Sequence, residues 1–121
     1  MNERDETLLR DMLDVSRKAQ AFLGGRGQET VDQDEMLAFA LVRAIEVLGE
    51  AASKITPETR VVLPQIPWKV IVGMHNKIIH DYRTIDTRIV WKTVVEDLPP
   101  LSAELEKILP PEEPEQPQSL R

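Results

Sequence analysis

The chain has 121 residues, of which 41% are hydrophobic and 30% charged, so it is one domain's length with enough apolar matter for a core that needs no covalent staples. It contains no cysteine, which excludes a disulfide scaffold, a zinc–thiolate or iron–sulfur site and a thiol nucleophile. A net charge of −6 argues against a generic nucleic-acid coat protein, which would be basic.

Helical periodicity dominates. Leu8, Met12, Val15, Ala19 and Phe22 step by four and three and predict a first helix stopped by Gly24-Gly25. Residues 26–31 read as a loop; Gly24-Gly25-Arg26-Gly27 lacks the Lys-Ser/Thr and the preceding strand of a phosphate loop. Asp32 with Glu35 three residues on reads as a capping box for a second helix. Its stripe is Leu37, Leu41, Ala44, Leu48, Ala51 and Ile55, and its alanines allow a neighbouring helix to come close. Thr56-Pro57 ends it, Thr56 being also a cap for a short new turn with Pro57 at its first position.

Pro64-Gln65-Ile66-Pro67 is a rigid connector to a third long helix, with Trp68, Ile71, Met74 or His75, Ile78 and Tyr82 along one side. Asp86 caps a fourth, carrying Ile89, Val90, Val94 and Leu98, which Pro99-Pro100 must break or kink. Leu101, Leu105, Ile108 and Leu109 continue the helical spacing. The expectation is an all-α, up-and-down bundle of four or five helices over residues 1–109, followed by a disordered Pro/Glu-rich tail over 110–121. No apolar run approaches the ~20 residues of a membrane span, and the first residues lack the pattern of a signal peptide, so a cytoplasmic protein is expected.

Charge is uneven along the chain. Residues 60–92 hold Arg60, Lys69, Lys77, Arg83, Arg88 and Lys92 against Asp81 and Asp86, a local +4, and both histidines of the chain. Such a patch on an acidic protein suits an anionic ligand held at one place; the plainer alternative is a solvated helix face. Within it, residues 74–82 (Met-His-Asn-Lys-Ile-Ile-His-Asp-Tyr) are the densest chemistry. At ~100° per residue, Asn76 and His80 share one face and His75 and Tyr82 another. Imidazole beside amide and ammonium donors can serve phosphoryl chemistry, although a histidine in a helix is more often structural. Glu46 and Glu50 lie one turn apart, but the Glu-x-x-His partners of a di-metal bundle are missing, so no metal and no cofactor are expected.

Three ordered motifs carry a family resemblance. They are Ala44-Ile45-Glu46-Val47-Leu48-Gly49-Glu50-Ala51-Ala52, Ile66-Pro67-Trp68, and Gly73-Met74-x-Asn76-x-x-x-His80-Asp81-Tyr82; Val90-Trp91 and Asp97-Leu98-Pro99-x-Leu101 follow. Over about residues 5–109 the chain resembles the HepT-like branch of the HEPN family, ribonuclease toxins of toxin–antitoxin pairs. The resemblance implies a helical bundle forming a two-fold homodimer, with two Arg-x4-6-His motifs meeting at a cleft and cutting RNA without a metal. It implies His80 as the proton-transfer residue and Asn76 as the polar residue that orients the pair; Lys77 and Arg83, the cations within and beside this segment, are RNA-binding candidates that could aid His75 at phosphate. It also implies a type VII-like partner, a minimal nucleotidyltransferase antitoxin that adenylylates Tyr82 in the His-x-Tyr extension.

The chain departs from this pattern at the residue before Asn76, where His75 stands in place of the family's arginine. Arginine is always charged and offers a planar fork to phosphate; imidazole offers fewer donors and a weaker charge at neutral pH. Two readings stay open: a weakened or working endoribonuclease in which His75 still meets phosphate, and a catalytically inactive dimer that binds a partner or RNA.

Overall fold

A computed structural model describes residues 1–79 and 85–111, without the side chains of Ile78 and Ile79. All regular structure among them is helical: α1 (Glu3–Leu23), α2 (Gln28–Gln33), α3 (Glu35–Lys54), α4 (Pro57–Val62), α5 (Trp68–Ile79), α6 (Thr87–Lys92), a π turn (Thr93–Asp97) and α7 (Leu98–Ile108). The expected bundle is present, its four long helices joined by short ones. The expected tail is described only at Pro110 and Pro111, and residues 112–121 lie outside the described residues.

α1 and α3 form the centre, α7 lies on α1, and α5 on α3. Hydrogen bonds fix the directions. Asp5, at the start of α1, meets Thr56, just past the end of α3, so the two run antiparallel. Gln20 bonds Ser102 and Arg17 bonds Glu106, so α7 also runs against α1. The core between them is aliphatic, with Leu9, Met12, Leu41, Ile45, Leu48, Leu98 and Leu105 fully enclosed. Each such side chain contributes roughly 1.5–3 kcal/mol by leaving water.

Several sequence expectations hold in detail. The whole Leu37–Ile55 stripe is buried. Gly24 ends α1 in the left-handed conformation, at φ 61°, and its N–H bonds the Gln20 carbonyl. Thr56 caps α4 with Pro57 at the first turn, and Asp86 caps α6 by accepting from the Arg88 and Ile89 N–H groups.

Others are corrected. Residues 28–33 form α2, not loop, and α2 absorbs Asp32; the cap of α3 is Asp34, which accepts from the Leu37 N–H. Asp32 is instead hydrogen-bonded by the Thr87 hydroxyl, which ties α2 to α6. The buried face of α1 is wider than the expected stripe: Met12 and Ala19 of the stripe are buried and Leu8 and Val15 pack against the core, but Leu9, Leu13, Ser16 and Leu23 are buried too and Phe22 is 45% exposed, because α1 packs against two helices rather than one. Pro99-Pro100 does not break the last helix. The chain instead changes pitch, widening into one π turn in which the Leu98 N–H bonds the Thr93 carbonyl, and the prolines then fall in the first turn of α7.

Candidate nucleic-acid and catalytic site

The densest chemistry of the sequence falls at the C-terminal half of α5. Pro67 starts this helix, its carbonyl accepting from the Ile71 N–H. Trp68 anchors it, buried and donating its indole N–H to the Leu63 carbonyl at 3.0 Å. Trp68 and Ile71 face the core; Lys69, Val70, Gly73, Asn76 and Lys77 face out. Asn76 and Lys77 are exposed, and among the described residues neither has a hydrogen-bond or ion-pair partner, so their donors are free for a ligand. His80, Tyr82 and Arg83 lie outside the described residues.

His75 differs from its two neighbours. It is half-buried and rests against α3 at Gly49. A methyl carbon placed on Gly49 would overlap the His75 Cβ and Cγ and lie 2.7 Å from Cδ2. The ring therefore lays its Cδ2 edge over α3, with Nδ1 on its other edge. The sequence carried a weak signal of this, a glycine inside an otherwise alanine-rich helix, but that glycine could not be matched to residue 75 from spacing alone.

The cationic patch is smaller than the sequence suggests. Arg60 is turned inward: its Nη2 donates to the Ala52 carbonyl at 2.9 Å, at the end of α3, and its guanidinium lies 5.7 Å from the Trp68 ring centre. Arg88 stays by its own helix cap, 3.9 Å from Asp86. Lys69 and Lys77 on α5 and Lys92 on α6 remain exposed. Glu46 and Glu50 pair with Arg43 and Lys54 on the surface of α3, and among the described residues no group of three His, Asp or Glu could hold a metal.

On the other flank of α5, a groove runs between Pro67, Val70, Ile71 and Met74 and the start of α7. Glu96, Asp97 and Glu104 line it, and among the described residues no lysine or arginine does. Burial, with the charge of Glu96 beside it, raises the Asp97 carboxyl above its usual value. That wall has the wrong sign for phosphate. Its carboxylates repel a polyanion, whereas the outer face of α5 exposes the ammonium of Lys77.

The family model described as ribonuclease HepT-like matches residues 12–108. The chain belongs to the HepT-like ribonuclease family. Among its relatives, a Thermococcus cleftensis protein named "Probable ribonuclease HepT" is 41% identical over 75 residues, covering 62% of this chain and 68% of the relative. A Methanocaldococcus jannaschii protein, MJ1380, whose name carries a provisional RNase assignment, is 35% identical over 107 residues, covering 88% of this chain and 98% of the relative. A second protein of that organism, MJ1216, with the same kind of name, is 34% identical over 110 residues, covering 90% and 91%. No solved structure matches. The HepT-like match spans the core helices as well as the motif, so the all-α bundle and the ribonuclease assignment of the family come together. No described helix is long and apolar enough to cross a membrane.

Proposed function

We propose that this chain is the toxin of a toxin–antitoxin pair: a metal-independent endoribonuclease that works as a homodimer in the cytoplasm. The observation that carries the reading is a HepT-like bundle whose α5 holds Asn76 and Lys77 exposed and, among the described residues, unpartnered on its outer face, with His80 and Tyr82 following them in the sequence. In the reaction, the ribose 2′-oxygen attacks the adjacent phosphorus. The new 2′-O–P bond forms as the P–O5′ bond breaks, giving a cyclic phosphate and a 5′-hydroxyl. His80 takes the 2′-hydroxyl proton, and a proton is returned to the leaving oxygen. Asn76 and Lys77, with His75 in the arginine position, hold the non-bridging oxygens as charge builds on them.

A single chain offers few cations to RNA. A two-fold arrangement about the outer face of α5, where Gly73, Asn76 and Lys77 are exposed, would double the set of donors in one cleft. The partner in this reading is a minimal nucleotidyltransferase that transfers AMP to the Tyr82 hydroxyl. The added phosphate and adenosine would fill the groove meant for RNA and repel its backbone.

The test is cleavage of single-stranded RNA by the purified protein in EDTA, beside a His75→Arg version. Cleavage by both, faster with arginine, supports the reading. A dimer that cleaves with neither residue supports the second reading, a binding module, which the half-buried seat of His75 favours.

A further inference from the structure

We infer that Gly49 is a positioning residue for the phosphate-binding site: it is the notch on α3 in which residue 75 is seated, and it fixes how far α5 stands from α3 where the motif begins. The inference rests on reading residues 75–80 as the catalytic segment.

The atoms crowded by a side chain at position 49 are, in order of closeness, the Cβ, Cγ and Cδ2 of His75. The first of these belongs to every residue except glycine, so the notch is needed for a histidine and for the family's arginine alike. Gly49 lies on the buried side of α3, between Leu48 and Ala51 of the core stripe. A helix interior is otherwise a poor place for glycine, which is a weaker helix former than alanine. Its neighbours Ala44, Ala51 and Ala52 show that small side chains suffice elsewhere on this face. At Gly49 even a methyl group is too much, whereas at Gly73, on the outer face of α5, an added Cβ meets nothing within 4 Å.

The consequence is directional. Ordinary contact begins at 3.4 Å, and the carbon added at Gly49 would lie well inside that distance from three consecutive His75 atoms. Those atoms include the stiff Cβ, so rotating the ring does not relieve the overlap; α5 must move away or turn. A displacement on the order of 1 Å at a reacting centre costs on the order of 10²-fold in rate. Asn76 and the following turn move with residue 75, because they share its helix.

The experiment uses full-length protein and four variants: Gly49→Ala, His75→Gly, the two combined, and Gly27→Ala as a remote control, since an added Cβ there also meets nothing within 4 Å. Gly49→Ala is expected to lower the thermal midpoint and shift the NMR signal of the His75 Cδ2–Hδ2 group, while Gly27→Ala leaves that signal in place. In the His75→Gly background the same alanine is expected to cost nothing or to stabilise, since the overlap is gone and alanine is the better helix former. In a His75→Arg background, Gly49→Ala is expected to reduce kcat by ~10²-fold and to raise KM as well, because Asn76 and Lys77 ride on the displaced α5. An unmoved His75 signal, an equal thermal loss in both backgrounds, or an unchanged kcat overturns the inference. If Gly49→Ala does not fold, the combined protein decides: its folding supports the seat, and its failure rejects it. Should no version cleave RNA, the catalytic reading fails by itself, while the thermal cycle and the imidazole signal still report on the contact.

Discussion

Two polar clusters of this protein are built in opposite ways. At the start of α1, the Asp5 carboxylate is fully buried and accepts from the Thr56 hydroxyl at 2.6 Å, the Thr59 hydroxyl at 2.5 Å and the Thr56 N–H at 3.3 Å. Burial alone would raise its pKa; the hydrogen bonds from Thr56 and Thr59 outweigh this and hold it below the usual value. At the end of α5, Asn76 and Lys77 have no partner among the described residues, and His75 has packing without a hydrogen bond. The first cluster closes its bonds within the chain and joins two helices. The second leaves its side-chain donors unfilled among the described residues. A polar group in a small bundle is read by whether its bonds are already filled, more than by its type.

That contrast can be broken or sharpened in five ways, in order of expected effect. His80→Ala should lower RNA cleavage by ~10²–10⁴-fold, the usual contribution of a general acid–base group, with the helical content unchanged by circular dichroism. His75→Arg should raise cleavage by ~10²–10³-fold, since it restores a charged, forked donor at the developing phosphate charge. Asp5→Ala should cost about 2–3 kcal/mol in urea unfolding, because it leaves buried threonine donors unpaired, while the rate per folded molecule stays the same. A matching loss of both rate and stability in this variant would erase the distinction between the clusters.

Acid should act through the same knot. The folded-state pKa of Asp5 is lowered, so its contribution is complete above the unfolded value near 3.8 and is lost as pH falls through the lower folded value. Stability should therefore be insensitive to Asp5 from neutrality to about pH 5 and fall below about pH 4, and Asp5→Asn should flatten that acid limb. Lys77→Ala should be the mildest for the fold, within about 0.5 kcal/mol, since nothing described holds its ammonium. Its effect should appear in the salt dependence of RNA binding, with a shallower slope than the parent.

The sequence was most legible where a rule is local. Thr56-Pro57, Asp86 and Gly24 each act within three or four residues of themselves, and each acts as expected. Residues 75–77 of the motif segment were legible as donors on a helix. Less legible was whatever depended on a second element. Asp32 looked like the cap of a helix because Glu35 stands three residues on, and α2, held by α6, took it instead. Arg60 counted toward a cationic patch by position, yet the end of α3 and the Trp68 ring hold it.

By itself, then, the order of residues determined the four long helices, most of their ends, the aliphatic stripe of α3 and the chemistry gathered at residues 75–82, because periodicity, capping and the proline restriction work over one or two turns. Only the tertiary structure decided which face of α1 is buried, that Asp5 answers to Thr56 at a separation of 51 positions, and that residue 75 sits on Gly49. These depend on how two helices meet. A meeting of that kind is set by the close packing of the whole core, in which one methyl group is enough to move a helix.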